Sequence, residues 1–247
     1  MLRWKGRSQV TALPERLGCA LLVAVGMLAT PAGCGADRFI ADSGCDRGDC
    51  SRPTSPCGSI GYAVHQGSPG DTVHIAAGAY PAHIVVPEHA SPLILDGGWA
   101  ADFTMRSNDP RLTQLVGDGA GTVVEVVHCG EFELELRNLT VTGGRAGVAV
   151  SGGCLDGRPS RGRLRLVDVV AVANEIGLYV ASQACSDLEV VNGIAVNNGY
   201  CGIYAFADSH CHMLVSVVNS TVTDNSNGII LDAWGSSSGW GSISGTV

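Results

Sequence analysis

The residues of this chain with the right types for acid–base chemistry are five aspartates, Asp168, Asp187, Asp208, Asp224 and Asp232, and four arginines, Arg137, Arg145, Arg163 and Arg165. Paired carboxylates could protonate a leaving group and activate water, or hold a divalent cation beside a basic group that takes a proton. None of the nine stands in a recognisable lyase or hydrolase signature. Asp168 and Asp224 also occupy positions where a bend already calls for Asn or Asp. No catalytic residue is therefore assigned. His210-Cys211-His212 gathers metal-ligating types, but consecutive residues of an extended chain point apart, and no CxxC pair occurs. No metal and no cofactor are expected. The seven histidines lack the spacing of a triad. Asn138-Leu-Thr140 and Asn219-Ser-Thr221 fit the glycosylation sequon, yet both fall at bends. Trp234 and Trp240 could offer rings to a sugar, although packing over the end of the fold explains them more simply.

Those residues sit in a light, glycine-rich chain of 247 residues with 34 glycines, 45% hydrophobic and 15% charged. Its apolar content supports a core, so wholesale disorder is excluded. The first 33 residues read as an export signal: Arg3, Lys5 and Arg7 precede the apolar run Cys19 to Leu28, and small residues follow up to Cys34. That run is too short to span a bilayer, which takes about 20 apolar residues. The pattern resembles a bacterial lipoprotein signal, which would make Cys34 the lipidated first residue of the mature chain; Pro31 departs from it. The alternative is ordinary cleavage near Ala32 to Ala36 and a secreted or periplasmic protein. Residues 1–33 carry Arg3, Lys5, Arg7, Glu15 and Arg16, so their removal takes the formal charge from −8 to −11 and leaves no lysine. Such a surface repels phosphate backbones, and nucleic acid is not an expected partner. Contact with a membrane is expected only through a lipid on Cys34.

Apolar residues alternate in short runs that recur at a coarse period. Leu134, Leu136, Leu139 and Val141 lead to Gly147; Leu164, Leu166, Val170 and Val172 lead to Gly177. Leu188, Val190, Ile194 and Val196 lead to Gly202; Val215, Val217 and Val222 lead to Gly228. Each unit holds three short strands. A tight bend at Asn138, Asp168, Asn192 or Asn219 separates the first two, and a second bend carries Asn174, Asn197-Asn198 or Asp224-Asn225. Asn and Asp suit both bends because they tolerate left-handed backbone angles. A period near 25 with no helix between strands excludes βαβ units and fits a parallel solenoid. Aligning Leu134, Leu164 and Leu188 predicts two outward rows, Glu133-Arg163-Asp187 and Glu135-Arg165-Glu189, whose alternating signs support the stacking register and disfavour a calcium site.

Eight cysteines lie beyond Cys34, an even set that reads as disulfides in an exported chain: Cys45, Cys50, Cys57, Cys129, Cys154, Cys185, Cys201 and Cys211. Cys129, Cys154, Cys185 and Cys211 follow the repeat, so pairs between neighbouring coils are expected, Cys129 with Cys154 and Cys185 with Cys211. Cys45, Cys50 and Cys57 contain one further pair, and Cys201 is the hardest to place.

The repeats of 131–231 resemble the right-handed parallel β-helix family, the architecture of pectate lyase-like proteins. So does the opening segment, Cys57-Gly-Ser-Ile-Gly-Tyr-Ala-Val64 before Pro69-Gly-Asp-Thr-Val73, where a short helix covers the first coil. Asp96-Gly-Gly-Trp99 with Asp102-Phe103 is similar to a turn in some bacterial surface proteins. The resemblance implies an all-β, right-handed parallel β-helix solenoid with a short N-terminal capping helix. The expected organisation is a signal at 1–33, a cysteine-containing linker at 34–56 and the β-helix at 57–247. Ser55 and Pro56 are expected to start the capping helix and Ile60, Ala63 and Val64 to form its buried face. Gly241 to Val247 has the alternation of a strand opening another coil, so the β-helix is expected to be incomplete at its C-terminal end. The functional expectation is an exported, cell-surface or outer-membrane module without catalysis, whose partner is an extracellular polysaccharide or another surface protein. The competing expectation is a polysaccharide lyase or glycoside hydrolase.

Overall fold

The computed structural model describes residues 35–151, 160–181, 184–207, 211–236, 239–240 and 242–246. Expectations that fall on Cys34, Cys154, Asp208 and His210, and on the export signal, lie outside the described residues. Within them, the alternating apolar residues turn to one side of the chain and meet their counterparts from the next repeat. Leu134 lies beside Leu164, Leu164 beside Leu188, and Leu188 beside Val215. All four are buried. Moving one leucine fully out of water stabilises by about 1.5–3 kcal/mol, and the column repeats at every inward position, so burial drives the winding.

The product is an all-β parallel solenoid with three faces. The first face is the ladder Asp37–Ile40, Asp71–Ala76, Leu93–Trp99, Glu131–Thr142, Ser160–Val172, Ala184–Val191, His212–Val218 and Ser242–Thr246. Glu131–Thr142 and Ser160–Val172 continue round a bend onto the second face. There they stand between Thr113–Val116 and Ile194–Val196, with Gly78–Pro81 and Thr221–Thr223 beyond. The third face has six strands: Ile84–Val86, Thr122–Val126, Ala146–Val150, Ile176–Val180, Cys201–Ala207 and Asn227–Ala233.

The bends follow from their residues. Asn138, Asp168, Asn192 and Asn219 all have φ between 50° and 55°, the left-handed region expected of them. At the second bend the labour is divided between two residues. Ala173, Asn197 and Asp224 take the positive φ, and Asn174, Asn198 and Asn225 then turn inward and bond to one another. The Asn198 amide donates to Asn225 Oδ1 at 2.9 Å, and Asn198 Oδ1 accepts from the Asn174 backbone N–H at 3.1 Å. This ladder also explains the periodic glycines. A Cβ at Gly147 would sit 2.7 Å from the Gly177 carbonyl oxygen and 3.0 Å from the Asn174 amide, so the chain can pass there only without a side chain.

The N-terminal end differs from the sequence reading in two ways. The first face begins at Asp37, within the segment read as a linker, because Asp37–Ile40 pairs with Asp71–Ala76. Four residues with two charges give too little alternation to register as a strand. Arg38 is nevertheless buried, bonded to Asp71 at 2.6 Å and to the Asp49 carbonyl. The helix, Ile60–His65, buries Ile60, Ala63 and Val64 but starts later than Ser55 and Pro56 would place it. Cys57 is held in extended pairing with Ile40 and bonded to Cys50, so helical geometry becomes possible only beyond it. Ser59 is the N-cap, accepting from the Tyr62 N–H, and Asp46 holds the Ser59 hydroxyl at 2.6 Å.

Two further disulfide positions are occupied: Cys185 is bonded to Cys211, and Cys129 is disulfide-bonded. Cys45 and Cys201 are free thiols, contrary to an all-paired set of eight. Cys201 is buried in the third face with Ile176 and Asn227 as ladder neighbours, and the desolvated thiol has its pKa pushed up to about 11. Cys45 is left over once Cys50 takes Cys57.

Candidate functional site

The first face carries the charged rows in the predicted register. Arg163 lies between Glu133 and Asp187, and Arg165 between Glu135 and Glu189. The contacts form a chain running Arg137, Glu135, Arg165, Glu189, Arg163. Arg163 reaches diagonally to Glu189 at 2.5 Å, and Asp187 instead accepts the Leu214 N–H at 2.9 Å. Burial works to raise the Glu135 pKa, but Arg137 and Arg165 hold it below the usual carboxylate range. Arg137, Arg163 and Arg165 are each paired with a carboxylate, which disfavours them as bases. Such partly exposed pairs contribute about 0–1 kcal/mol each and serve register.

The remaining acids are dispersed around the solenoid. Asp168 sits at the first bend, bonded to the Asn192 amide at 3.1 Å. Asp224 is the left-handed residue of the second bend, and Asp232 lies on the third face. Asp187 is on the first. Four acids on different sides cannot share a substrate. Arg145 pairs with Glu175 at 3.7 Å. Cys211 is held in its disulfide and His212 bonds to the Ser242 hydroxyl at 2.6 Å. Among the described residues no group of three or more His, Cys, Asp or Glu side chains is arranged to hold a metal ion. Asn138 of one sequon is buried, with its amide donating to the Gly97 carbonyl at 3.1 Å.

One polar cluster escaped the sequence reading. His74 lies 2.8 Å from Asp37 and 3.7 Å from Asp96, and Asp96 also meets Arg106 at 2.8 Å and accepts from the Trp99 indole N–H at 2.8 Å. Burial opposes a charged imidazole, yet the hydrogen bonds and charges of Asp96 and Asp37 outweigh it and raise the His74 pKa. The rings of Phe39 and Trp99 close over His74, and Phe103 abuts Phe39. The Gly-Gly-Trp turn thus locks the first strand in place.

The third face is different in kind. Its outward row runs Val85, Glu125, Ala149, Tyr179, Tyr204, Ile230, and beside it Phe206 faces Asp232. The Tyr179 and Tyr204 rings are 5.5 Å apart, and Tyr200 lies 6.3 Å from Tyr204. Phe206 meets Trp234 edge-on at 5.9 Å. Trp234 is 68% exposed and Tyr200 44%, so Trp234 is no lid over the core. The Tyr204 hydroxyl donates to Asp232 Oδ2 at 3.2 Å. Burial, aided by Asp232, raises the pKa of Tyr204 and keeps that hydroxyl a donor. Five rings side by side with a carboxylate make a surface on which flat apolar faces can stack while hydroxyl or amine groups find an acceptor. The signal was present in the sequence: Tyr179 and Tyr204 each stand two residues after a repeat glycine, at the position that alternation sends outward.

No helix among the described residues is long and apolar enough to cross a membrane. No protein-family model and no curated protein matches the chain.

Proposed function

We propose that this chain is an exported, non-catalytic β-solenoid that binds an extracellular polysaccharide along its third face. The observation that carries the reading is the aromatic strip Tyr179, Tyr200, Tyr204, Phe206 and Trp234 around Asp232. Sugar rings present apolar C–H faces that stack on such rings, and their hydroxyls bond to the carboxylate. The dispersal of the other acids and the neutralised arginines support binding without turnover. The disulfides suit an oxidising compartment, and we assign the tether to a lipid on Cys34. Affinity electrophoresis through gels holding individual polysaccharides tests the reading. The wild-type chain is retarded by at least one of them, and the double variant Tyr204→Ala, Trp234→Ala loses about tenfold or more in affinity with unchanged circular dichroism. Unchanged retardation in the variant, or release of cleaved sugar by the wild type, overturns it.

A further inference from the structure

The charges of the third face narrow the ligand class, on the reading that this face binds a glycan. Among the described residues, its outward rows carry two carboxyl side chains, Glu125 and Asp232, and no arginine or histidine. Arg145, at the second bend that leads into this face, is paired with Glu175. The two carboxylates lie four rungs apart, or ~19 Å at ~4.8 Å per rung, with Tyr179 and Tyr204 between them. Glu125 takes the Ser151 hydroxyl at 2.7 Å, which leaves its other oxygen uncommitted among the described contacts. Asp232 accepts from Tyr204 alone among those contacts and is flanked by Phe206 in the ladder.

A uronate or sulfated polymer would bring negative charge onto this face and be repelled. A neutral sugar would stack but leave the carboxylates without a counter-charge. An alkylammonium satisfies both features: it is attracted to the faces of Tyr, Phe and Trp rings, and it makes a charge-assisted hydrogen bond to a carboxylate. We infer that the strip is specific for amino-sugar polymers with free amino groups, one ammonium seated against Asp232 among Tyr204, Phe206 and Trp234.

The test is calorimetric titration of the full mature chain with three oligosaccharides of equal length: glucosamine, N-acetylglucosamine and a uronic acid, at a pH where the amine is protonated. The free-amine oligomer should bind about tenfold tighter than its acetylated counterpart, and the uronate should give no heat. Asp232→Asn should bring the first two within about twofold of each other, chiefly through loss of affinity for the free-amine oligomer. Equal affinity for the first two in the wild type, or preference for the uronate, overturns the amine specificity and leaves glycan binding standing. No binding to any oligomer or to the polysaccharides above overturns both.

Discussion

Replacing Asn198 by alanine tests whether the buried amide ladder holds the coils together. Asn198 is 2% exposed and makes four side-chain bonds. Its amide donates to the Ala171 carbonyl at 3.1 Å and to Asn225, and its oxygen accepts from both the backbone N–H and the amide of Asn174. The Asn174 amide keeps Val141 and Val172 as partners when Asn198 is lost. The Asn174 N–H and the Ala171 carbonyl lose these bonds inside the core. At about 1–3 kcal/mol for each stranded group, and with some relief by an entering water, the expected loss is about 3 kcal/mol. Asn192→Gly is the matched control. It removes bonds to Asp168 and Asn219 at an exposed bend, and glycine accepts φ of 54° without strain, so it should cost under about 1 kcal/mol. Urea unfolding followed by circular dichroism gives both values. A loss below about 1 kcal/mol for Asn198→Ala, or equal losses for the two variants, would refute the ladder as a stabilising element.

Two other perturbations are informative. The Ala173 backbone is left-handed, φ 55°, where the corresponding residues of the next repeats are Asn197 and Asp224; Ala173→Asn should raise stability by about 0.5–1 kcal/mol in the same urea assay, and a loss would show that the bend is held by something other than local preference. The pKa of His74 is raised by folding and that of Asp96 lowered. The histidine's contribution is complete below its unfolded value near 6.5 and fades as pH rises through the higher folded value; that of Asp96 is present above about 4 and fades on acidification. Hydrogen exchange of Asp37–Ile40 should therefore be slowest between about pH 4 and 6.5 after correction for intrinsic rates, and His74→Gln should flatten the alkaline side. A wild-type profile without that alkaline limb would exclude the imidazolium as a clamp.

The winding was legible because it rests on short-range alternation. The pairings of Leu134 with Leu164 and Leu188, and the outward rows they fix, were readable from one-dimensional spacing since a parallel ladder repeats its register. The first left-handed bend was readable for the same reason, since one Asn or Asp carries it in each repeat, whereas the second divides its work between two residues and the left-handed Ala173 gave no signal. What failed depends on contacts remote in sequence. The strand Asp37–Ile40 is defined by a partner 35 residues away, and Ser59 became the cap because Cys57 is pinned by Ile40 and Cys50. His74, Asp96 and Arg106 converge through a turn whose path the alternation does not encode.

The three faces also separate stability from recognition. On the first face, charges of both signs neutralise one another across rungs, which fixes register and leaves no net field for a ligand. On the second, the outward column runs Pro81, Val116, Thr142, Val172, Val196 and Thr223, without a charged side chain. Residues of that kind favour the strand itself, since β-branched side chains suit a pleated surface. The first face also carries rings at Phe39, His74 and Trp99, but there Arg106 and His74 compensate Asp96; on the third face five rings surround Asp232, which has no arginine partner among the described contacts. The same column holds Ala149 beside Tyr179 and Ile230 beside Tyr204, so the ladder itself does not require a ring at that position. The aromatic strip is therefore better accounted for by what it contacts outside the chain than by what it does for the fold.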